Sequence, residues 1–307
     1  MLWSELIVVL TLAISRSEIL RRSQERRGRA FTLIELLVVC GIIAVLAAIL
    51  LPSLTRAKES GKSISCRNNL KQLQYAWTMY ADDYQGVFVP NDWIDVEGSA
   101  SANSMVVSQF NTQTSWCPGD ARFDTTTSNI LQGLLYPYSQ SAAIYHCPSD
   151  VSTIQDANGN LLPQLRNRSY NMSQSVNGYP FLVDPTTGFP IGAEQACFAK
   201  FSAITNPTPA QLFVFIDENE ATLQDAQFGY PPPGWGSVWW DMPSNRHDQG
   251  ANLAFADGHV EHWKWKVPMI PFYPGGGAGE PVVQGQMPDY LRVGKAMRQE
   301  PFDGLAD

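Results

Sequence analysis

From residue 36 to residue 51 the chain runs sixteen positions without a charge or a strongly polar side chain, and no second stretch matches it. Phe31-Thr32-Leu33-Ile34-Glu35 precede this run and Pro52 follows it. As a helix, residues 31–51 measure about 31 Å at 1.5 Å per residue, against about 30 Å of bilayer hydrocarbon. One membrane span is therefore expected. At Pro52 a missing N–H and a ring clash predict a kink, and beyond it the pattern turns amphipathic. Leu54, Ala57, Ile64, Leu70, Leu73, Trp77, Tyr80 and Tyr84 recur near helical spacing, with Lys58, Lys62, Arg67 and Lys71 among the polar positions. The helix is expected to continue to Tyr84, weakened at Gly61 and stopped at Gly86, with its apolar stripe on a sheet.

After Gly86 the pattern changes to short apolar runs separated by Asn158-Gly159, Asn177-Gly178, Asp257-Gly258 and many prolines, which predicts antiparallel strands and long loops. Residues 212–216 (Leu-Phe-Val-Phe-Ile) form the clearest buried strand. Residues 252–256 and 259–263, joined by Asp257-Gly258, read as a two-residue hairpin with a type I′ turn. A Gly/Pro-rich stretch over 274–288 precedes a short helix over 289–297. The expected fold class is α+β: a long N-terminal membrane-spanning helix packed on an antiparallel β-sheet domain with long loops. The expected segments are a leader (1–30), the helix (31–84, spanning over 31–51 and exposed over 53–84), a β-rich extracytoplasmic body (86–270) and a tail (271–307).

Charge sharpens this picture. Residues 1–30 hold six arginines against three glutamates, which leaves fifteen basic against twenty-six acidic residues in the remainder. Arg21, Arg22, Arg26, Arg27 and Arg29 lie just before the apolar run, so the positive-inside bias holds them in the cytoplasm and sends the acidic body outward. That body lacks the basic stripe that a phosphate backbone requires, which excludes nucleic acid as the partner. The shorter apolar run over residues 6–14 cannot span a bilayer and reads as an extension of a leader destined for removal. Glu35 needs a reason of its own, because an acidic residue costs about 3 kcal/mol at the centre of a membrane helix and less near an end. A cut before Phe31 would place a new ammonium one helical turn from this carboxylate, at the positive end of the helix dipole.

Arg29-Ala30-Phe31-Thr32-Leu33-Ile34-Glu35-Leu36-Leu37-Val38-Val39 closely resembles the signature of type IV prepilins and type II secretion pseudopilins. The resemblance implies cleavage between Ala30 and Phe31 by prepilin peptidase, N-methylation of Phe31, an assembly role for Glu35 and a helix kink at Pro52. Ala30 stands where the family most often has Gly, with Gly28 two residues earlier. Further along, Cys66-Arg67-Asn68-Asn69-Leu70-Lys71-Gln72-Leu73, Cys147-Pro148-Ser149-Asp150, Ser169-Tyr170-Asn171-Met172, and His247 followed after nine residues by Asp257-Gly258 resemble successive motifs of the prepilin-type family named for its H-X9-DG pattern. The resemblance implies a pilin-like fold and a structural subunit, minor or pseudopilin-type, of a type IV pilus or a type II secretion-like pseudopilus. Its partners would be prepilin peptidase, other pilin or pseudopilin subunits, the assembly platform and the inner membrane, with the body in the periplasm or carried to the cell surface. The alternative is an inner-membrane-anchored envelope module that binds a carbohydrate or another surface ligand without polymerising.

No enzyme is expected, since no nucleophile elbow, phosphate-binding loop or metal motif is present. Cys66, Cys117, Cys147 and Cys197 lie outside the span and Cys40 inside it. The echo of Cys117-Pro118-Gly119-Asp120 in Cys147-Pro148-Ser149-Asp150 pairs Cys117 with Cys147 among three possible connectivities, and a four-thiolate zinc site is the alternative. His247 is expected to hydrogen-bond the hairpin, and strand alternation puts His259 and His262 on opposite faces. No cofactor is expected. Compact major pseudopilins can hold Ca²⁺ in a C-terminal loop, so the resemblance makes Asp217, Glu218, Glu220, Asp241 and Asp248 candidate oxygen ligands, although a solvated acidic face explains them as well. Trp235, Trp239, Trp240, Trp263 and Trp265 are expected to be cross-strand packing, with an exposed aromatic platform for sugars as the lesser reading.

Overall fold

The computed structural model describes residues 32–91, 115–156, 158–177, 182–183, 190–191, 197–231, 236–272 and 279–297. The leader, the bond between Ala30 and Phe31, Trp235, Gly178 and the end of the tail lie outside them. The chain divides into two compact units at Leu54 and Thr55.

In the first unit, helix α1 (Leu33–Asp83) begins with a capping box. The Thr32 N–H and hydroxyl donate to Glu35 Oε2 at 2.8 and 2.9 Å, and the Glu35 N–H donates back to Thr32 Oγ1 at 3.2 Å. The apolar side chains that follow, Leu33 to Leu51, are largely exposed, and the helix is long and apolar enough to cross a membrane. It runs on through Pro52. Because Pro52 has no N–H, the Ala48 carbonyl loses its usual helical donor.

From Thr55 outward α1 belongs to the second unit. Here Cys66, Leu70, Leu73, Trp77 and Tyr80, at alternating steps of four and three, are buried. Ile64 and Tyr84, expected on the same stripe, are exposed. The helix ends in a Schellman motif: the Gly86 N–H donates to the Ala81 carbonyl at 2.7 Å, with Gln85 (φ 59°) and Gly86 (φ 82°) both left-handed. The expected stop is therefore made by a residue pair rather than by the glycine alone.

Two short helices follow, α2 (Ser128–Gln132) and α3 (Tyr136–Ser139), then a ribbon of β1 (Thr153–Gln155) and β2 (Leu161–Leu165). The remaining strands are β3 (Tyr170–Ser173), β4 (Leu182–Val183), β5 (Pro190–Ile191), β6 (Phe213–Asp217), β7 (Gln227–Phe228), β8 (Val238–Trp239), β9 (Gly250–Phe255), β10 (Val260–Lys264) and β11 (Glu280–Pro281), before helix α4 (Met287–Lys295). The main sheet has the order β10-β9-β6-β3-β7. Its joints are antiparallel except the last, where β7 lies parallel to β3, so the sheet is mixed rather than purely antiparallel.

β6 is central and buried throughout. One core gathers the α1 stripe with Trp116, Tyr170, Val214 and Phe215; the other gathers Phe213, Ile216, Leu253 and Trp239 with Tyr290 and Val293 of α4. A strand covered on both faces reads as an unbroken apolar run, as residues 212–216 do. The tryptophans confirm the packing expectation where they are described. Trp239, Trp263 and Trp265 are buried and Trp240 is half-buried, and the indole N–H of Trp265 donates to the Ser244 carbonyl at 2.7 Å.

The hairpin between β9 and β10 differs from the expected two-residue turn. The Phe255 N–H donates to the His259 carbonyl and the Gly258 N–H to the Phe255 carbonyl, so Ala256, Asp257 and Gly258 form a three-residue loop. A type I′ turn needs positive φ at both central residues. Gly258 has it (φ 94°) and Asp257 does not. α4 starts two residues earlier than expected because Pro288 suits the first helical turn.

In the loop before α2, Asp124 accepts from the Asn129 amide at 2.6 Å. Burial raises its carboxyl to about 6, against the opposing pull of Arg168 and Asn129. The folded value exceeds the unfolded one, so this contribution is fully present below about pH 4 and is lost as pH rises through about 6. The shift bounds the effect at about 3 kcal/mol, and partial exposure lowers it to about 1 to 2 kcal/mol. Asp124→Asn should therefore raise the melting temperature of the detergent-solubilised chain near neutral pH and leave it unchanged near pH 4, as read by thermal melts at both.

Candidate functional site

The chemically distinctive part of the body is a buried group of four side chains, Cys66, Cys147, Asp217 and His247, whose donor atoms all lie within 4.8 Å of one another. Each arrives from a different element. Cys66 opens the buried stripe of α1, one turn before Leu70. Cys147 follows the short 3-10 helix Ala142–Tyr145 and is fixed by its own N–H, which donates to Ser169 Oγ at 3.1 Å. Asp217 is the last residue of β6. His247 sits in the turn Arg246–Gln249, where His247 (φ 57°), Asp248 (φ 63°) and Gln249 (φ 61°) are all left-handed. Left-handed backbone costs a residue with a side chain about 1 to 2 kcal/mol, and strain of this kind concentrates where a side chain must be aimed.

His247 Nε2 is aimed into the group, 3.2 Å from Cys147 Sγ and 3.4 Å from Asp217 Oδ2. Cys66 Sγ lies 3.9 Å from the same Asp217 oxygen, and the Tyr170 hydroxyl donates to Cys66 Sγ at 3.2 Å. Arg246 closes one side, with Nη1 2.6 Å from Asp150 Oδ2 and Nη2 3.3 Å from Asp217 Oδ1. It also donates to the Glu218 carbonyl. Asp150 in turn accepts from the Ser169 hydroxyl at 2.6 Å and from the Ser152 N–H at 2.9 Å.

The electrostatics follow from burial and these contacts. Cys66 beside it, and then burial, push the Cys147 thiol far above its usual range. Burial alone would depress His247, but its hydrogen bonds to Asp217 and Cys147 lift it to about 9. Burial would raise Asp150, yet the Arg246 guanidinium and the Ser169 and Ser152 hydrogen bonds hold it at about 2.

Among the residues singled out from the sequence, His247, Cys147, Cys66 and Asp217 meet here. Asp257 and Gly258 do not: Asp257 accepts from the His259 N–H at 3.1 Å and shapes the loop, while the Gly258 carbonyl accepts from Lys71 of α1. His247 thus faces the four-residue group and not the hairpin it was expected to support. The expected Cys117–Cys147 disulfide is absent, since both are free thiols. The Cys117 carbonyl accepts instead from Arg168 at 3.1 Å, and the Cys147 thiol has Cys66 and His247 as its neighbours. The four-thiolate alternative is replaced by a mixed set with two thiols.

The five candidate calcium carboxylates are divided. Asp217 and Glu218 are buried, Asp248 is exposed and pairs with Lys264 at 2.8 Å, and Glu220 lies 4.0 Å from Arg246. Among the described residues the four-residue group is the one set of three or more His, Cys, Asp or Glu able to hold an ion. Sequence reasoning missed Arg246 and Tyr170 as site residues, and it placed Cys66 and Asp217 in two separate sets, four thiolates and an acidic cluster, rather than together with His247. The available signal was that Cys66, Cys147, Tyr170 and His247 all lie in the quoted motifs, with Asp217 ending the clearest strand.

None of the curated proteins and none of the solved structures matches the chain. Residues 26–51 match the family model described as the prokaryotic N-terminal methylation motif. That motif, continuous with an apolar helix long enough to cross a membrane, supports a type IV pilin-like protein and a substrate of prepilin peptidase.

Proposed function

We propose that the chain is a structural subunit, minor or pseudopilin-type, of a type IV pilus or a type II secretion-like pseudopilus. The observation that carries this reading is the methylation motif over residues 26–51, which runs directly into the exposed apolar half of α1. In the waiting state residues 31–51 lie in the inner membrane with the acidic body in the periplasm. In the assembled state the same apolar surface is buried against neighbouring helices, and the Glu35 carboxylate is neutralised by a neighbour's N-terminal ammonium. Prepilin peptidase, sister subunits and the assembly platform are the partners.

Intact mass and N-terminal peptide mapping of the protein recovered from its native host's envelope test this directly. The expected product begins at N-methylated Phe31. A chain that retains Arg29-Ala30-Phe31 overturns the reading and leaves a plain membrane anchor bearing a binding domain.

A further inference from the structure

We propose that Cys66, Cys147, Asp217 and His247 bind one zinc ion, which ties the outer part of α1 to the sheet and loops of the body. The known spacings between the donor atoms are close to those of four ligands around a tetrahedral zinc ion. Zinc bonds of about 2.3 Å to sulfur and about 2.0 Å to nitrogen or oxygen give ligand-to-ligand edges of about 3.3 to 3.8 Å. Here the edges are 3.2 Å from Cys147 Sγ to His247 Nε2, 3.4 Å from His247 Nε2 to Asp217 Oδ2, and 3.9 Å from Cys66 Sγ to Asp217 Oδ2, with no pair beyond 4.8 Å.

The donor set selects the metal class. Two thiolates, an imidazole and a carboxylate suit a borderline-soft, tetrahedral divalent ion, whereas calcium and magnesium require oxygen alone. Four protein donors leave no open position, so the ion is structural and not catalytic. Two thiolates and a carboxylate exceed a divalent cation by one negative charge, and the Arg246 guanidinium, shared between Asp150 at 2.6 Å and Asp217 at 3.3 Å, offsets part of the excess. The Tyr170 hydroxyl, 3.2 Å from Cys66 Sγ, donates to sulfur, a bond that strengthens when the sulfur is a thiolate. Binding releases the thiol protons and any proton on the imidazole.

A disulfide between Cys66 and Cys147 accounts for the two sulfurs and for nothing else. It would leave His247 Nε2 with its 3.4 Å contact to Asp217 Oδ2 and, in place of the Cys147 thiol, a poorly accepting disulfide sulfur. A zinc ion accounts for the convergence of all four side chains and for the left-handed backbone that aims His247.

The test uses the full chain, purified in detergent without chelator, and measures metal content by mass spectrometry together with thiol alkylation. About one zinc per chain is expected, with Cys66 and Cys147 resistant to alkylation until the metal is removed. A strong chelator should lower the melting temperature by about ten degrees or more, and added zinc should restore it. Reconstitution with cobalt should produce a thiolate-to-cobalt charge-transfer band and intense visible bands of a tetrahedral ion. Cys147→Ser and His247→Gln should each lose the bound metal and the cobalt spectrum, while Cys40→Ser in the apolar segment keeps both. Should the body variants fail to fold, the wild-type metal content and chelator melt decide the matter alone. A wild-type chain without metal overturns the proposal in either of two forms. A mass lower by two hydrogens shows the disulfide, and free alkylation of both thiols shows an ionic and hydrogen-bonded cluster only. Neither result bears on cleavage at Phe31.

Discussion

Arg246→Met should destabilise the body by about 3 to 5 kcal/mol, which is the cost of stranding a buried charge when its partner is removed. Arg246 stands between two carboxylates that are essentially inaccessible to water, Asp150 at 2.6 Å and Asp217 at 3.3 Å. Methionine keeps much of the volume and removes all the donors. With the guanidinium present the Asp150 carboxyl is held at about 2, so it is ionised throughout the neutral range. Its depressed value makes its stabilisation present above about pH 4 and lost as pH falls through about 2, and Arg246→Met removes most of this dependence.

A loss of this size is a large share of the 5 to 15 kcal/mol that a domain has in total. Urea denaturation of the detergent-solubilised chain reads it as a lower midpoint with an unchanged slope. Lys264→Met, which breaks the exposed pair with Asp248 at 2.8 Å, is the control and should change stability by less than about 1 kcal/mol. If Arg246→Met cost no more than the control, the buried ion network would not be what holds the turn Arg246–Gln249 in place.

Glu35→Leu should leave cleavage before Phe31 intact and lower recovery in the sheared filament fraction about tenfold or more, the effect of an interaction near 1.4 kcal/mol or larger. The substitution makes the anchor more apolar, so the membrane-held state gains while the assembled state loses its charge partner. In the single chain Glu35 already serves a second purpose, because its Oε2 accepts from both the N–H and the hydroxyl of Thr32. Loss of a cap costs about 1 kcal/mol and would blur the interpretation. Glu35→Gln separates the two, since an amide oxygen still accepts from Thr32 and carries no charge. Defective assembly with Gln as with Leu assigns the effect to the carboxylate's charge; wild-type assembly with Gln assigns it to the cap. Immunoblots of sheared and membrane fractions provide the readout, and unchanged filament yield with Leu would falsify the assembly role.

What could be read from the chain itself was whatever depends on local order of residues. The apolar run over 36–51, the arginines before it and the Thr32-to-Glu35 spacing need no tertiary partner, because bilayer thickness, charge bias and capping act on contiguous residues. The alternating steps of four and three from Leu70 to Tyr80 announced a buried face for the same reason, and residues 212–216 announced a strand covered on both sides.

Tertiary structure decided the rest. The hairpin loop took three residues because the register between β9 and β10 pairs Val260 with Ala254, and register is a property of two strands together. β7 joined parallel to β3 through backbone bonds that side-chain pattern does not encode. The four-residue group depended on the fold most of all. Cys66, Cys147, Asp217 and His247 lie on a helix, a loop, a strand end and a left-handed turn, far apart in sequence, and only the packing of α1 on the sheet brings their donor atoms within 4.8 Å. Sequence spacing identifies a metal or redox site when its ligands share one local element; ligands drawn from four elements acquire their geometry from the fold alone.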